Sequence, residues 1–149
     1  MVYELRVVAF IDILGFTVEV NKATYNNEKA KNILCILNEL KDFFITKKSP
    51  SELEVEKNRN ADTQIIQVSD SLVISRLMHE QGGIFHMLQD CSYAIHLLIN
   101  RGFLCRGSIK WGYMYHKNTT LFGPAFQEAY EAENKEDYPI VRFNKELFD

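Results

Sequence analysis

The stretch VVAFIDILGF, residues 7–16, constrains the fold more than any other part of the chain. Seven of its ten residues are large and apolar, the pattern of a fully buried strand. One carboxylate, Asp12, interrupts it, and Gly15 follows three residues later. Burying an unpaired carboxylate costs several kcal/mol. A core strand that keeps Asp12 must therefore give it a partner.

The rest of the chain supplies layers for that strand. Leu5 to Ile13 is predicted as the buried strand, Gly15 as its end and Thr17 as a helix opening. Ala30, Ile33, Leu34, Leu37, Leu40 and Phe44 recur at helical spacing and predict an amphipathic helix over 28–46. Lys47 to Ala61 is polar, contains Ser-Pro-Ser and reads as a loop. Thr63–Val68 and Ser71–Leu77 are two short strands joined at Ser69-Asp70 as a hairpin. Gly82-Gly83 precedes a second helix carrying Ile84, Leu88, Cys91, Ile95 and Leu98, which Gly102 ends. From Leu104 to Tyr115 the residues alternate. Cys105, Gly107, Ile109, Trp111, Tyr113 and Tyr115 form an apolar side; Arg106, Ser108, Lys110 and His116 form a polar one. Gly123-Pro124 opens a short helix to about Glu133, Pro139–Phe143 is a last strand, and the final NKELFD begins another helix. The order is β-α-β-β-α-β with a smaller β/α appendage. It predicts a single α+β domain over residues 1–149: a ferredoxin-like antiparallel sheet with helices on one face.

Composition narrows the class. At 149 residues with 46% hydrophobic and 25% charged residues, the chain is a soluble globular domain. A net charge of −3 argues against a dedicated nucleic-acid partner. No run approaches the ~18 apolar residues of a membrane span, and Glu4, Arg6 and Asp12 break any signal-peptide core. Cys35, Cys91 and Cys105 lack CxxC spacing and each lies in an apolar segment, which predicts buried free thiols and a cytoplasmic location. His79, His86, His96 and His116 form no ligand pattern, and HEQGG lacks the second histidine of a zinc protease.

In this topology the first and third core strands are neighbours, so Asp12 and Asp70 converge at one edge of the sheet. Two carboxylates beside a glycine turn suit a hard cation, Mg²⁺ or Mn²⁺. The amides of Gly15, Phe16 and Thr17 at a helix start suit phosphate oxygens. The plainer alternative makes Asp12 a strand-end or cap residue and Asp70 an ordinary turn aspartate.

Four ordered segments carry a resemblance. AFIDILGFT (9–17), QVSDSLVIS (67–75), RGSIKWG (106–112) and LFGPAFQEA (121–129) resemble motifs of the class III nucleotidyl cyclases. RGSI, FGPAFQEAYEAE and YPIVRF most resemble the pyrimidine cyclases of bacterial antiphage (Pycsar) systems, which make cyclic UMP or cyclic CMP to activate a separate effector. The resemblance implies that Asp12, Asp70 and the carbonyl of Ile13 bind two divalent metals, Mg²⁺ or Mn²⁺, per active site. It implies UTP or CTP as substrate, Gly15, Phe16 and Thr17 as triphosphate binders, and a head-to-tail homodimer with sites across its interface. The chain ends early for a whole cyclase domain, so a fragment or a further tail is expected.

The departures concern specificity. Purine cyclases read their base with polar residues at the positions of Ile66 and Thr120; isoleucine disfavours ATP or GTP and leaves Gln64 or Gln67 as alternative readers. The family's transition-state asparagine and arginine fall at Gln127 and Glu131. Gln127 still donates a hydrogen bond, whereas Glu131 cannot stabilise phosphate charge, so Arg106, Lys110 or Arg142 must supply it. Plainer readings make Arg106 a surface or interface salt-bridge residue, Gln127 a cap or dimer contact, and Trp111, Tyr113 and Tyr115 core or interface. The expected activity is pyrimidine cyclisation, with a purine cyclase or a non-catalytic nucleotide-binding dimer as alternatives.

Overall fold

A computed structural model describes the backbone of residues 1–46 and 62–143, and the side chains of these residues except 44–46. The loop expected at 47–61 and the helix expected from Asn144 onward lie outside the described residues. Among the described residues six strands and four helices follow in order: β1 (Glu4–Ile13), α1 (Phe16–Ala23), α2 (Asn27–Thr46), β2 (Thr63–Val68), β3 (Ser71–Leu77), α3 (Gly83–Asn100), β4 (Cys105–Lys117), β5 (Thr120–Phe122), α4 (Pro124–Asn134) and β6 (Val141–Phe143). Within the described residues the expected strands, hairpin and helices form.

The strand order is β2-β3-β1-β4-β5, with β6 paired in parallel to β4. β1 is the centre, antiparallel to β3 on one side and β4 on the other. Its side chains serve two cores. Val7, Ala9, Ile11 and Ile13 face α2 and α3, packing with Leu40, Met87, Ala94 and Leu98. Val8 and Phe10 face the other way, against Val73, Met114, Ala125 and Ala129. This double burial is why the strand is apolar at consecutive positions rather than at alternate ones. The two long helices share one face, and the appended α4 covers the other.

That second layer changes the expected sides of β4: Cys105, Gly107 and Ile109 of the apolar side are buried as expected, but the other side is buried too and the apolar side opens to solvent further along. Ser108, Met114 and His116 are buried, while Trp111 and Tyr113 are exposed. The side that reads as polar lies under the alanines of α4. Period-two alternation identifies two faces without saying which one a later helix will cover. The α2 stripe is also rotated: Ile33, Ile36, Leu37, Leu40 and Phe43 point inward, leaving Leu34 and Cys35 exposed. Cys35 therefore departs from the expectation of a buried thiol, whereas Cys91 and Cys105 meet it.

A buried ion network fixes α3 to the sheet. Arg76 Nη2 donates to Asp90 at 2.7 Å, and Nη1 donates to Glu80 at 3.0 Å and to Thr63 Oγ1 at 2.8 Å. The separation of β1 and β4 is set by Gly107, where an added Cβ would lie 2.4 Å from the carbonyl oxygen of Phe10. None of the described helices is long and apolar enough to cross a membrane.

Candidate active site

Asp12 is the even-numbered residue nearest the exit of β1, so it shares a face with Val8, Phe10 and α4. In register it stands between Ser71 of β3 and Arg106 of β4. The β2–β3 turn closes on the same corner. Ser69 adopts a left-handed φ of 55°, and the backbone N–H of Ile13 donates to the carbonyl of Asp70 at 2.9 Å. The hairpin thereby delivers Asp70 to Asp12, as the sequence topology requires. Ser71 Oγ donates a long bond to Asp12 at 3.4 Å.

The electrostatics record the proximity. Asp12 is pushed up from 3.8 to about 6, first by burial and then by the like charges of Asp70 and Glu133; in its protonated form it hydrogen-bonds Asp70, and Arg106 opposes the shift. The pair is an acidic site short of positive charge. Among the described residues no cluster of three or more histidine, cysteine, aspartate or glutamate side chains is placed to hold a metal. Any ion here would take Asp12, Asp70 and a backbone carbonyl such as that of Ile13, and complete its shell with water or phosphate oxygens.

Beyond Ile13 the chain turns at Gly15, whose φ of 72° is left-handed, and α1 begins at once. Glycine supplies that conformation without steric cost. Gly15 and Thr17 are exposed and Phe16 is buried. The N–H groups of the first turn, three to five residues beyond Asp12 in the chain, have no intrahelical acceptor.

Arg106 lies at this corner, although its donors are committed. Nε donates to Glu133 Oε1 at 2.6 Å and Nη1 donates to the carbonyl of Glu136 at 2.9 Å. Arg142 is likewise paired with the Glu136 carboxylate, which that guanidinium holds below its ordinary range. Lys110 is half-buried opposite Val8, two rows from Asp12 on the same face. Glu133, at 2% exposure, is the residue here that sequence reasoning missed. Its signal was a glutamate at helical spacing from the buried Ala125 and Ala129.

The candidate base residues are scattered. Ile66 is opposite Val73 and shares the face of Asp12. Gln67 is opposite Leu72, on the face of α2 and α3, so the pleat turns it away from Asp12. The Gln64 amide is occupied at both ends: Nε2 donates to Asp62 at 2.6 Å and Oε1 accepts the N–H of Asn118 at 2.9 Å. Gln127 is exposed on the first turn of α4. Thr120 pairs with Lys117, at the far end of β4 from the Asp12–Arg106 row. At ~3.3 Å per residue that separation is about 35 Å. One chain therefore does not bring Thr120 to Asp12 and Asp70. Trp111 and Tyr113 form exposed surface, and Tyr115 stacks on Phe122 at 5.3 Å.

A second polar node, also unforeseen, occupies the Thr120 end of this face. Arg6, Ser75 and His116 are all fully buried. Arg6 Nε donates to Ser75 Oγ at 3.0 Å, Ser75 Oγ meets His116 Nδ1 at 2.8 Å, and Asp62 pairs with Arg6 at 2.9 Å. Burial and the Arg6 charge push His116 down from 6.5 to about 4, against the pull of Asp62, so the ring stays neutral.

No family profile matches the chain, and no curated relative matches it by sequence. Solved structures do match in fold. The adenylyl cyclase CyaB from P. aeruginosa aligns with a TM-score of 0.58 at 14% identity, over 98% of this chain and 79% of that one. The catalytic core of a rhodopsin-guanylyl cyclase with converted specificity, in complex with ATPalphaS, aligns at 0.63 and 14%, over 98% and 79%. A bacterial light-regulated adenylyl cyclase aligns at 0.54 and 12%, over 98% and 78%. The chain has the α+β fold of these cyclase structures.

Proposed function

We propose that this chain is a pyrimidine nucleotide cyclase, converting UTP or CTP to the 3′,5′-cyclic monophosphate and pyrophosphate. The observation that carries the reading is the meeting of Asp12 and Asp70 at one corner of a fold shared with adenylyl and guanylyl cyclase structures. The shortage of counter-charge at Asp12 fits a hard divalent cation. When bound, two such ions, Mg²⁺ or Mn²⁺, supply the Lewis acidity that activates the ribose 3′-hydroxyl and spreads the charge of the leaving pyrophosphate.

The chain's own residues do the positioning. Asp12, Asp70 and the Ile13 carbonyl hold the ions. The amides of Gly15, Phe16 and Thr17 orient the terminal phosphates at the start of α1. The 3′-oxygen bonds to the α-phosphorus, the bond from that phosphorus to the bridging oxygen breaks, and the hydroxyl proton leaves to solvent. Gln127 donates a hydrogen bond to the reacting phosphoryl group. Because Thr120 and Asp12 lie at opposite ends of the sheet, a complete site takes its metal corner, with Ile66 one row away on the same face, from one copy and Thr120 from a second, in a head-to-tail homodimer.

Ile66 supports the pyrimidine substrate, since an apolar side chain at that position offers no hydrogen bond to a purine edge. The locked Gln64 and the turned-away Gln67 leave Ile66 and Thr120 as the base contacts. The resemblance to antiphage cyclases extends the proposal to cytoplasmic defence signalling through a separate effector. A second reading, a purine cyclase, is favoured by the ATP analogue bound to one of the similar structures.

The test is incubation of the purified chain with each nucleoside triphosphate and Mn²⁺, following cyclic product and pyrophosphate. Conversion of UTP or CTP that Asp70→Ala abolishes supports the proposal. Conversion of ATP or GTP instead selects the purine reading. Absence of any product while Mn²⁺ still binds leaves a non-catalytic nucleotide-binding dimer.

A further inference from the structure

Arg106 and Asp12 stand directly opposite each other on neighbouring strands, with their side chains on one face. Opposite charges in that relation ordinarily pair. Here, among the described residues, no ion pair joins them. Arg106 turns instead to Glu133 at 2.6 Å and to the carbonyl of Glu136 at 2.9 Å. Glu133 occupies an unfavourable place. It is 2% exposed, adds a negative charge that is felt at Asp12, and lies in the last turn of α4, where the helix dipole disfavours negative charge. Clipping α4 to β4 would not require a charge at that point, because Ala125, Ala129 and Met114 already seat the helix.

We infer that Glu133 is a positioning residue that holds the Arg106 guanidinium away from Asp12, keeping the Asp12 carboxylate open to a divalent cation. The inference rests on the reading of Asp12 and Asp70 as metal ligands. Arg106 is a tethered cation within reach of the ion's place. Released from Glu133, it can turn to Asp12, directly opposite it in register, and compete with the ion. Glu136 contributes through its carbonyl, which fixes the far side of the guanidinium.

The test is Mn²⁺ affinity, measured by calorimetry and by electron paramagnetic resonance of free Mn²⁺, on the full chain and three variants. Circular dichroism checks each fold. Glu133→Gln should weaken Mn²⁺ binding about tenfold or more, the usual scale for residues behind metal ligands. Arg106→Gln alone should bind Mn²⁺ at least as tightly as the parent chain. The double variant should recover the affinity of Arg106→Gln, because the competitor has gone. A merely structural clip gives no such recovery. Unchanged affinity in Glu133→Gln, or a double variant as weak as Glu133→Gln, overturns the inference while leaving the metal reading in place. A parent chain that binds no Mn²⁺ removes the metal reading and the inference with it. Should Glu133→Gln fail to fold, Glu133→Asp keeps the charge and shortens the reach. Its affinity must then fall, and parental affinity overturns the inference.

Discussion

Ile13 donates its backbone N–H to the carbonyl of Asp70 at 2.9 Å. That bond ties the β2–β3 turn to the end of β1 and fixes the two candidate metal carboxylates relative to each other. They belong to distant parts of the chain, yet one backbone contact sets their spacing before any ligand arrives.

The first prediction concerns the metal-free protein. Asp12 titrates at about 6 in the fold against its ordinary 3.8, so the folded state holds this proton more tightly than the unfolded one. Stability falls as pH rises through that window and stays lower above it. Asp12→Asn is expected to gain about 1 kcal/mol at pH 7, after allowance for the solvent that reaches this half-buried group. Urea unfolding at pH 4 and pH 7 measures it. Mn²⁺ should raise the parent's midpoint and leave that of the variant unchanged.

His116 acts in the opposite sense. Its pKa is pushed from 6.5 down to about 4, so the fold favours the neutral ring. The contribution is full above pH 6.5 and is lost as pH falls towards 4. The stability gap between the parent and His116→Gln should shrink by about 2 kcal/mol between pH 7 and pH 4. A gap that stays constant over that range refutes the assignment.

Breaking the Arg76–Asp90 pair leaves a largely buried guanidinium with less compensation. Asp90→Ala is expected to cost about 3 kcal/mol in chemical denaturation, since removing one partner of a buried pair exposes the other to its full desolvation penalty. The Glu80 carboxylate, still 3.0 Å from Arg76, keeps the loss from being larger.

Gly107→Ala forces a methyl group to within 2.4 Å of the Phe10 carbonyl, which is backbone and cannot swing aside. Strands β1 and β4 must part. A loss of about 2 kcal/mol or more in unfolding free energy is expected. Heteronuclear NMR should place the largest amide shifts along Phe10–Asp12 and Arg106–Ser108.

Complementation tests the composite site. Asp70→Ala damages the metal corner and Gln127→Ala, on the helix turn that follows the Thr120 hairpin, damages the other half, so each homodimer has two broken sites. Mixed and re-equilibrated, half of the dimers are hybrids with one intact site, and about a quarter of parental activity should return. Recovery of none places both residues in the same site of one chain.

Much of this arrangement is legible in the sequence, and the reasons are local. The hairpin at Ser69-Asp70, the helix opening at Pro124 and the stop at Gly102 all follow from turn chemistry and apolar period. The approach of Asp70 to Asp12 follows from β1 and β3 being neighbours. The covering of β4 does not follow, because Met114 and His116 are buried by a helix that comes later in the chain. Gln67 and Ile66 show the same limit: adjacent residues take opposite faces, and a motif position alone does not state which face holds the site. Glu133 and the Arg6–Ser75–His116 node were hidden because each is a polar side chain whose hydrogen-bond partners lie far away in sequence.

The span from the Asp12 row to the Thr120 turn has a consequence for dosage. If neither end works without its counterpart on a twin molecule, a lone copy in the cell is silent. At low expression the activity then grows with the square of the amount made, so a modest burst of synthesis or local crowding would raise it steeply.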